Sequence, residues 1–255
     1  MTMLRARHAL RYVLNRTVPA RRSEPWYREA ERVERAQMAV VRRHGLVVQA
    51  GPFAGMALLA QAVTGTVPPK LVGSYEEEIA PAVERMIERK PRTVVNIGPG
   101  EGYYAVGLAR RLPDASVYAF DIDQRAQDAC REMAERNGVG SRVKIGGECT
   151  KADLQSLLAD GGLVVIDCEG CERELVDASL PRADWIIESH DFVAAGTTEL
   201  LCERLEATHD IERVEQRPRD PSKYPELAVV PPALRDSAVA ERRQPELCWL
   251  ACFAR

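Results

Sequence analysis

Four polar side chains close two apolar segments of the sequence, and their chemistry suits the movement of a proton. Asp167 ends one segment, and Glu188, His190 and Asp191 close the next. If both segments are parallel strands, these side chains meet at one edge of a sheet, where ligands of open α/β sheets bind. His190 is the predicted general base, because the unperturbed pKa of histidine lies near neutrality. Asp167 is predicted to orient an acceptor hydroxyl or an amine of a cofactor.

The same four side chains are an alternative set of ligands for a divalent cation. A bound cation would lower the pKa of an acceptor hydroxyl, and hard oxygen ligands favour Mg²⁺ over zinc. We predict no metal; if one binds, its ligands are Asp167, Glu188, His190 and Asp191.

A glycine-rich turn is the strongest binding signal in the chain. Gly98, Gly100 and Gly102 follow the apolar segment 93–97 and precede a helical segment, so backbone and free N–H groups can approach a ligand closely. The spacing is G-x-G-x-G, and Tyr103 occupies the position of the third glycine in the dinucleotide pattern. The sequence therefore speaks against NAD and favours S-adenosylmethionine.

An acidic residue further along supports a nucleoside cofactor. Asp121 ends the next strand, 19 residues after Gly102, and is predicted to bind the ribose hydroxyls. Asp123 is instead predicted to cap the following helix. The turn after the third strand is expected to lie next to the adenine of the cofactor. The predicted cofactor-binding residues are Asn96, Gly98, Gly100, Gly102, Tyr103, Asp121, Glu148, Cys149 and Asp167.

Alternating strands and helices must position these residues. The predicted strands are segments 93–97, 116–120, 143–145, 162–167 and 184–188, with helical segments between them. This alternation indicates parallel βαβ units and an α/β fold.

A closing strand pair is predicted at 209–216 and 246–253, and the Pro- and Arg-rich connection between them is expected to cover part of the site. Before the sheet, segment 46–50 is a predicted short strand, and residues 74–77 form a capping-box pattern. Acceptor contacts are predicted for Tyr75, Tyr104, Glu188, Asp191 and Arg242, with Arg243 as an alternative for an anionic acceptor.

These segments carry a resemblance to class I S-adenosylmethionine-dependent methyltransferases, and within them to the FkbM-like family. The fourth-strand pattern of that family resembles I-D-x-E-G-x-E, and its fifth strand ends in Glu-x-His. The matching residues here are Asp167, Glu169, Gly170, Glu172, Glu188 and His190. Two departures are Asn96 in place of the commoner first-strand acid and cysteine at both variable positions, 168 and 171.

The resemblance covers about residues 70–210 and implies a Rossmann-like, seven-stranded methyltransferase sheet, mostly parallel, whose last strand is antiparallel. Residues 1–74 would form an N-terminal helical extension and residues 75–255 the methyltransferase domain. The implied activity is O-methylation of a hydroxyl on a small molecule or glycan. Alternatives are a nucleic-acid methyltransferase and a non-catalytic module that binds S-adenosylmethionine.

Seven cysteines without a secretory leader favour a reducing cytoplasm and free thiols. Cys168 and Cys171 form a C-x-x-C motif, for which zinc and redox roles are alternatives to structural thiols. A zinc site would need a second pair, and Cys248 and Cys252 are the candidates. We predict thiols without metal.

The net charge of −3 combines +7 in residues 1–45 with −10 in the remaining chain. An acidic body argues against a nucleic-acid partner, and no apolar run is long enough to span a membrane. The basic N-terminus is expected to dock on the chain itself or in a homodimer, with weak contact to a membrane surface as an alternative.

Overall fold

The architecture is described by a computed structural model for residues 25–177, 179–241, 243 and 247–255. The first helix expected from the sequence falls in residues 1–24 and lies outside the described residues.

Seven strands form one sheet in the order β3-β2-β1-β4-β5-β7-β6. The strands are Thr93–Ile97 (β1), Ser116–Phe120 (β2), Val143–Gly146 (β3), Leu163–Ile166 (β4), Asp184–Ser189 (β5), His209–Glu215 (β6) and Cys248–Ala254 (β7). Strands β1 to β5 pair in parallel, and β7 lies antiparallel between β5 and β6. The predicted seven-stranded sheet with its antiparallel last strand is confirmed.

Helices precede the sheet and connect its strands. They are Pro25–His44 (α1), Val67–Val72 (α2), Ala80–Glu88 (α3), Tyr103–Arg111 (α4), Gln124–Arg136 (α5), Lys151–Leu157 (α6), Glu172–Leu175 (α7), Thr197–Leu205 (α8) and Arg235–Val239 (α9). Asp123 caps α5, because its side chain accepts a hydrogen bond from the N–H of Arg125 at 2.9 Å. This predicted cap is confirmed.

The central strands separate two apolar clusters. Successive side chains of a strand point to opposite faces, so Val94 and Val165 pack in one cluster while Val95 and Ile166 pack in the other. Burial on both faces explains why β1 and β4 are largely apolar. Polar side chains are therefore concentrated where the strands end, at the carboxyl edge of the sheet.

Two local expectations before the sheet are wrong. Segment 46–50 makes one antiparallel bridge, between Val47 and Ala57, instead of a strand. Helix α3 begins at Ala80 and has no capping box, and the Ser74 hydroxyl is buried without a hydrogen-bond partner in the described chain. The capping box does not form because its acidic member, Glu77, accepts a hydrogen bond from the hydroxyl of Tyr224, and because Glu76 has a left-handed backbone conformation.

The connection from β6 to β7 folds over the same edge. Its described part contains α9 and three short 3₁₀ helices at Pro221–Lys223, Pro225–Val229 and Pro232–Leu234. Helix α1 packs against α9 and α2. Among the described residues, no helix is both long and apolar enough to cross a bilayer. The division into an extension and a domain at residue 74 stays a prediction.

Candidate functional site

The glycine turn brings backbone from two strands into direct contact. Gly98 has a φ of 73°, and a Cβ placed on it would overlap the carbonyl oxygen of Asp167 at the end of β4. Gly100 has a φ of 56°, and a Cβ there would lie 2.8 Å from the Thr64 hydroxyl. Both positions therefore require glycine. The turn leads directly into α4, which begins at Tyr103.

Asp121 lies beside this turn, as the spacing predicts. Its carboxylate accepts hydrogen bonds from the N–H groups of Gly100 at 3.2 Å and Asp123 at 2.9 Å. These bonds fix the carboxylate between the ends of β1 and β2. The next side chain, Ile122, is apolar but 74% exposed at the same edge. A carboxylate with an adjacent open apolar surface suits a nucleoside, whose sugar is polar and whose base is flat.

Asn96 supplies an unsatisfied acceptor at the bottom of the site. Its amide N–H group donates to the carbonyl of Val165 at 3.2 Å, while its Oδ1 is buried without a hydrogen-bond partner in the described chain. The residue lines a cavity together with Gly98 and Asp167. Because a buried orphan acceptor costs free energy, this atom fits a ligand that donates a hydrogen bond, such as the amine of S-adenosylmethionine.

Three tyrosines form the aromatic wall of that cavity. Tyr75 and Tyr103 meet edge to face with their ring centres 5.0 Å apart, and Tyr103 and Tyr104 do so at 5.6 Å. The hydroxyl of Tyr104 donates to Glu76. The structure thus brings Tyr75, Tyr103 and Tyr104 together, and their predicted contacts with cofactor and acceptor stay predictions.

An ion pair that the sequence did not predict holds segment 63–70 against the glycine turn. Lys70 binds Glu101, which stands between two glycines of the turn, and both side chains are almost completely buried. Glu101 also accepts from the N–H groups of Val63 at 3.0 Å and Thr64 at 3.2 Å. Segment 63–70 therefore covers one side of the cavity. Lys70 and Glu101 are 31 residues apart, and no local pattern in the sequence indicated that they would pair.

Glu148 and Cys149 follow β3 at the same edge but differ in exposure. Glu148 is exposed, whereas Cys149 is buried in the second apolar cluster. Burial raises the pKa of the Cys149 thiol to about 12, so it is neutral. Their predicted role next to the adenine is not tested by these contacts.

His190 lies between two carboxylates. Its Nδ1 is 2.6 Å from Oε1 of Glu172, and its Nε2 is 3.4 Å from Oδ1 of Asp167. Glu172 is completely buried, whereas the Asp167 side chain is 29% exposed. Glu172 therefore positions His190 although the two residues are 18 positions apart in the chain.

This arrangement determines the charge of His190. Burial alone would lower the pKa of the imidazole, but the hydrogen bonds to Asp167 and Glu172, together with the charges of Asp167 and Glu188, raise it to about 10. His190 is therefore an imidazolium at neutral pH. Its prediction as general base rested on a pKa near neutrality, and a base role would require this proton to leave first.

The raised pKa predicts how stability depends on pH. Folded His190 binds its proton more tightly than an unfolded histidine, whose pKa is about 6.5, so its contribution is complete below that pH and is lost as pH rises through about 10. We expect the unfolding free energy to fall by a few kcal/mol across this range. Urea unfolding at several pH values should show a smaller fall for His190→Gln.

A control separates this effect from other groups that titrate in the same range. His209 is also buried, but its Nε2 pairs with the carbonyl of Ala183 instead of a carboxylate. His209→Gln should retain the wild-type slope between about pH 7 and about pH 10. Equal slopes for wild type and His190→Gln would contradict the assigned charge.

Asp191 and Glu188 turn to different partners. Asp191 accepts from the hydroxyl of Ser189 at 3.3 Å and from the N–H of Thr198 at 3.3 Å, so it secures the start of α8. Glu188 is buried and paired with Arg243. Burial and the nearby Asp167 charge raise the pKa of the Glu188 carboxyl.

The alternative of a magnesium site does not fit these contacts. Asp167, Glu188 and His190 offer ligand atoms within 4.8 Å of one another, and Asp191 is not among them. However, the His190 nitrogens both face carboxylates, and Glu188 already binds a guanidinium. A divalent cation would have to displace both positive charges.

Arg243 anchors the connection from β6 to β7 inside the site. Its three nitrogens pair with Glu76, Glu188 and Glu241, and its guanidinium lies 5.2 Å from the Tyr75 ring centre. Because carboxylates surround this side chain, Arg243 does not offer an anion site, which corrects that alternative. Arg242 lies outside the described residues.

The strand order and the antiparallel β7 define the fold of class I S-adenosylmethionine-dependent methyltransferases. No protein-family model matches the chain, so the FkbM-like assignment stays a prediction.

Curated relatives match over short stretches. The release factor glutamine methyltransferase of Chlorobaculum tepidum is 38% identical over 52 residues, which is 20% of this chain and 18% of the relative. The ribosomal protein L11 methyltransferase of Edwardsiella ictaluri is 30% identical over 128 residues, covering 49% of this chain and 42% of the relative. The chain thus spans less than half the length of either relative.

Among solved structures, the O-methyltransferase TomG from Streptomyces achromogenes, in complex with S-adenosylmethionine, superposes with a TM-score of 0.49. The two chains are 12% identical, and the match covers 88% of this chain and 90% of TomG.

Proposed function

We propose that this protein is an S-adenosylmethionine-dependent methyltransferase. The observation that carries the proposal is the convergence of the glycine turn, Asp121 and the orphan Oδ1 of Asn96 at one edge of the sheet. These groups match a ligand with a ribose at one end and an amine at the other. The cofactor, when bound, would supply a methyl group activated on a sulfonium.

Each part of the site has a distinct task in holding that cofactor. Asp121 accepts hydrogen bonds from the ribose hydroxyls, and Asn96 accepts one from the amine. Gly98 and Gly100 let the backbone approach, and Tyr103 closes the cavity from the side of α4. Glu148 and Cys149 flank the adenine.

We propose a hydroxyl of a small molecule or glycan as the acceptor, in keeping with the FkbM-like resemblance. Asp167 is the most exposed member of the group around His190, so it is the group that an acceptor reaches first. Burial opposes its charge, but the hydrogen bond and charge of His190 lower the pKa of Asp167, making it a weak base. Asp167 orients the hydroxyl, and His190 holds Asp167 in place. The acceptor oxygen becomes strongly acidic as it gains the methyl group, so even this weak base can receive its proton at that stage.

Cofactor binding is tested by titration calorimetry with S-adenosylmethionine, S-adenosylhomocysteine and NAD. We expect both adenosyl ligands to bind, and Asp121→Asn to weaken binding at least about tenfold because charged hydrogen bonds are lost. Asp123→Asn is the matched control: it removes a neighbouring carboxylate that caps α5 and should leave affinity nearly unchanged. Binding of NAD without the adenosyl ligands would refute the proposal.

The acceptor is tested separately with methyl-labelled cofactor and a cell extract. Label on a small molecule or glycan, lost in Asp167→Asn, would support the proposed acceptor. The two relatives are named for protein substrates, so label on protein would replace the hydroxyl assignment with a protein acceptor. Label on nucleic acid, or cofactor binding without any transfer, would favour the remaining alternatives.

A further inference from the structure

The loop between Asp167 and Glu172 is closed by a disulfide bond between Cys168 and Cys171. The two Cα atoms are 5.6 Å apart, a usual separation for a bridged pair. Both residues are half-buried, so reagents can reach the loop. The sequence led us to expect thiols here; the turn made possible by Gly170 brings the two side chains together instead.

The first end of this loop packs on the glycine turn. A Cβ at Gly98 would contact not only the Asp167 carbonyl but also the Cα of Cys168, at 3.4 Å. The N–H of Asp167 donates to the carbonyl of Ile97 at 2.9 Å. Displacement of Cys168 would therefore directly shift the backbone of the proposed cofactor site.

The second end of the loop is bonded to the group that holds His190. The N–H of Gly170 donates to Oε2 of Glu172 at 2.9 Å, and the other oxygen of Glu172 holds the imidazole. The disulfide thus spans the short segment between the two carboxylates that flank His190.

The backbone of the loop has an unfavourable conformation, which the covalent cross-link helps to maintain. Glu169 has a φ of 54°, a conformation that is unfavourable for a residue with a side chain. Gly170 has a φ of 127°. Without the cross-link, the four-residue ring would regain conformational freedom, and Glu169 could leave its left-handed conformation.

We propose that Cys168 and Cys171 form a reversible thiol–disulfide modification site that controls the order of this edge. The oxidised form holds Gly170, Glu172 and the contact with Gly98 in place. The reduced form loosens all three. Because cysteines 130, 149, 202, 248 and 252 are free in the structure, the switch is confined to this pair.

The reaction partner is a dithiol. One of its thiolates attacks a sulfur of the pair, the S–S bond breaks, and a mixed disulfide forms. The second thiolate of the reagent then displaces the protein sulfur. Cys168 and Cys171 are thereby reduced to two thiols, which takes two electrons and two protons, and the reagent is oxidised to its own disulfide. The reverse reaction with a low-molecular-weight disulfide restores the bond.

The test compares the full-length protein after treatment with oxidised glutathione and after treatment with dithiothreitol. Alkylation and mass spectrometry should show two more modifiable cysteines in the reduced sample, at 168 and 171. Hydrogen exchange of residues 169–172 should become about tenfold faster or more on reduction, because the loop loses its covalent closure. Affinity for S-adenosylhomocysteine is measured on the same samples and should fall.

Two variants separate the pair from the other thiols. Cys168→Ser/Cys171→Ser should exchange like the reduced wild type under both treatments. Cys202→Ser, which removes a free cysteine of α8, should retain the full response. Alkylation at both positions under the oxidising treatment, or equal exchange in the two wild-type samples, would overturn the proposal. The wild-type comparison decides the matter even if the double variant does not fold. Since mass and exchange need no cofactor, failure of the proposed methyltransferase function would leave these readouts intact.

Discussion

Replacement of Gly98 by alanine should destabilise the protein by about 3 kcal/mol or more and abolish cofactor binding. The new Cβ would overlap the Asp167 carbonyl, which belongs to backbone and cannot rotate away. Parallel pairing of β1 with β4 fixes the two chains relative to each other. Relief would therefore require separating the strand ends where the site is formed. Urea unfolding and calorimetry with S-adenosylhomocysteine measure the two effects.

Gly138 provides the matched control for Gly98. Its φ is 69°, close to that of Gly98, but a Cβ there would meet no atom within 4 Å. Gly138→Ala should therefore cost only about 1 kcal/mol, the strain of a left-handed alanine, and leave cofactor affinity unchanged. If both variants lost the same stability, the close approach of Gly98 to Asp167 would not be the cause.

Replacement of Arg243 by alanine should lower the unfolding free energy by about 3–5 kcal/mol at neutral pH. The side chain is only 12% exposed and compensates the buried carboxylates of Glu76, Glu188 and Glu241. Without it, Glu241 would keep its pair with Arg219, but Glu76 and Glu188 would remain buried without their guanidinium partner. Arg85→Ala is the matched control, because its pair with Glu212 is nearly half exposed on both sides and should contribute less than about 1 kcal/mol.

The Arg243→Ala variant should also respond to pH in a defined direction. Burial already raises the pKa values of Glu76 and Glu188 in the presence of Arg243, and its removal would raise them further. Folded carboxyls with raised pKa values bind protons more tightly than unfolded ones, so stability increases as pH falls towards about 5. Unfolding curves from about pH 8 to about pH 5 should show the variant recovering stability relative to wild type. A constant difference across this range would contradict the buried-charge explanation.

The elements that depend on local sequence were largely predictable. The segments of β1, β2 and β4 form strands, as their short, largely apolar runs bounded by turns predict. The cap at Asp123 and the position of Asp121 followed from neighbours within a few residues. By contrast, the capping box expected after Ser74 did not form, since its acidic member, Glu77, binds the hydroxyl of the distant Tyr224.

The partners of the proposed catalytic group were not predictable in the same way. Glu172 was recognisable as the last acidic residue of the FkbM-like fourth-strand pattern. However, no neighbouring residue in the sequence indicated that it would hold His190. Arg243 was considered as an anion contact, because its three carboxylates lie up to 167 residues away in the chain. Such pairings depend on which strand ends and loops converge, and that follows from sheet order and not from spacing.

The sequence by itself determined the strand-and-helix alternation, the glycine turn and the acidic residue that follows it, because each depends on backbone conformation and periodicity within short segments. Only the tertiary structure decided the charge of His190, the pairing of Arg243 with three carboxylates and the disulfide between Cys168 and Cys171. These properties arise from burial and from the meeting of separate segments at the carboxyl edge. Burial changes the free energy of every charge there, so the same residues acquire roles that their types and positions in the sequence do not specify.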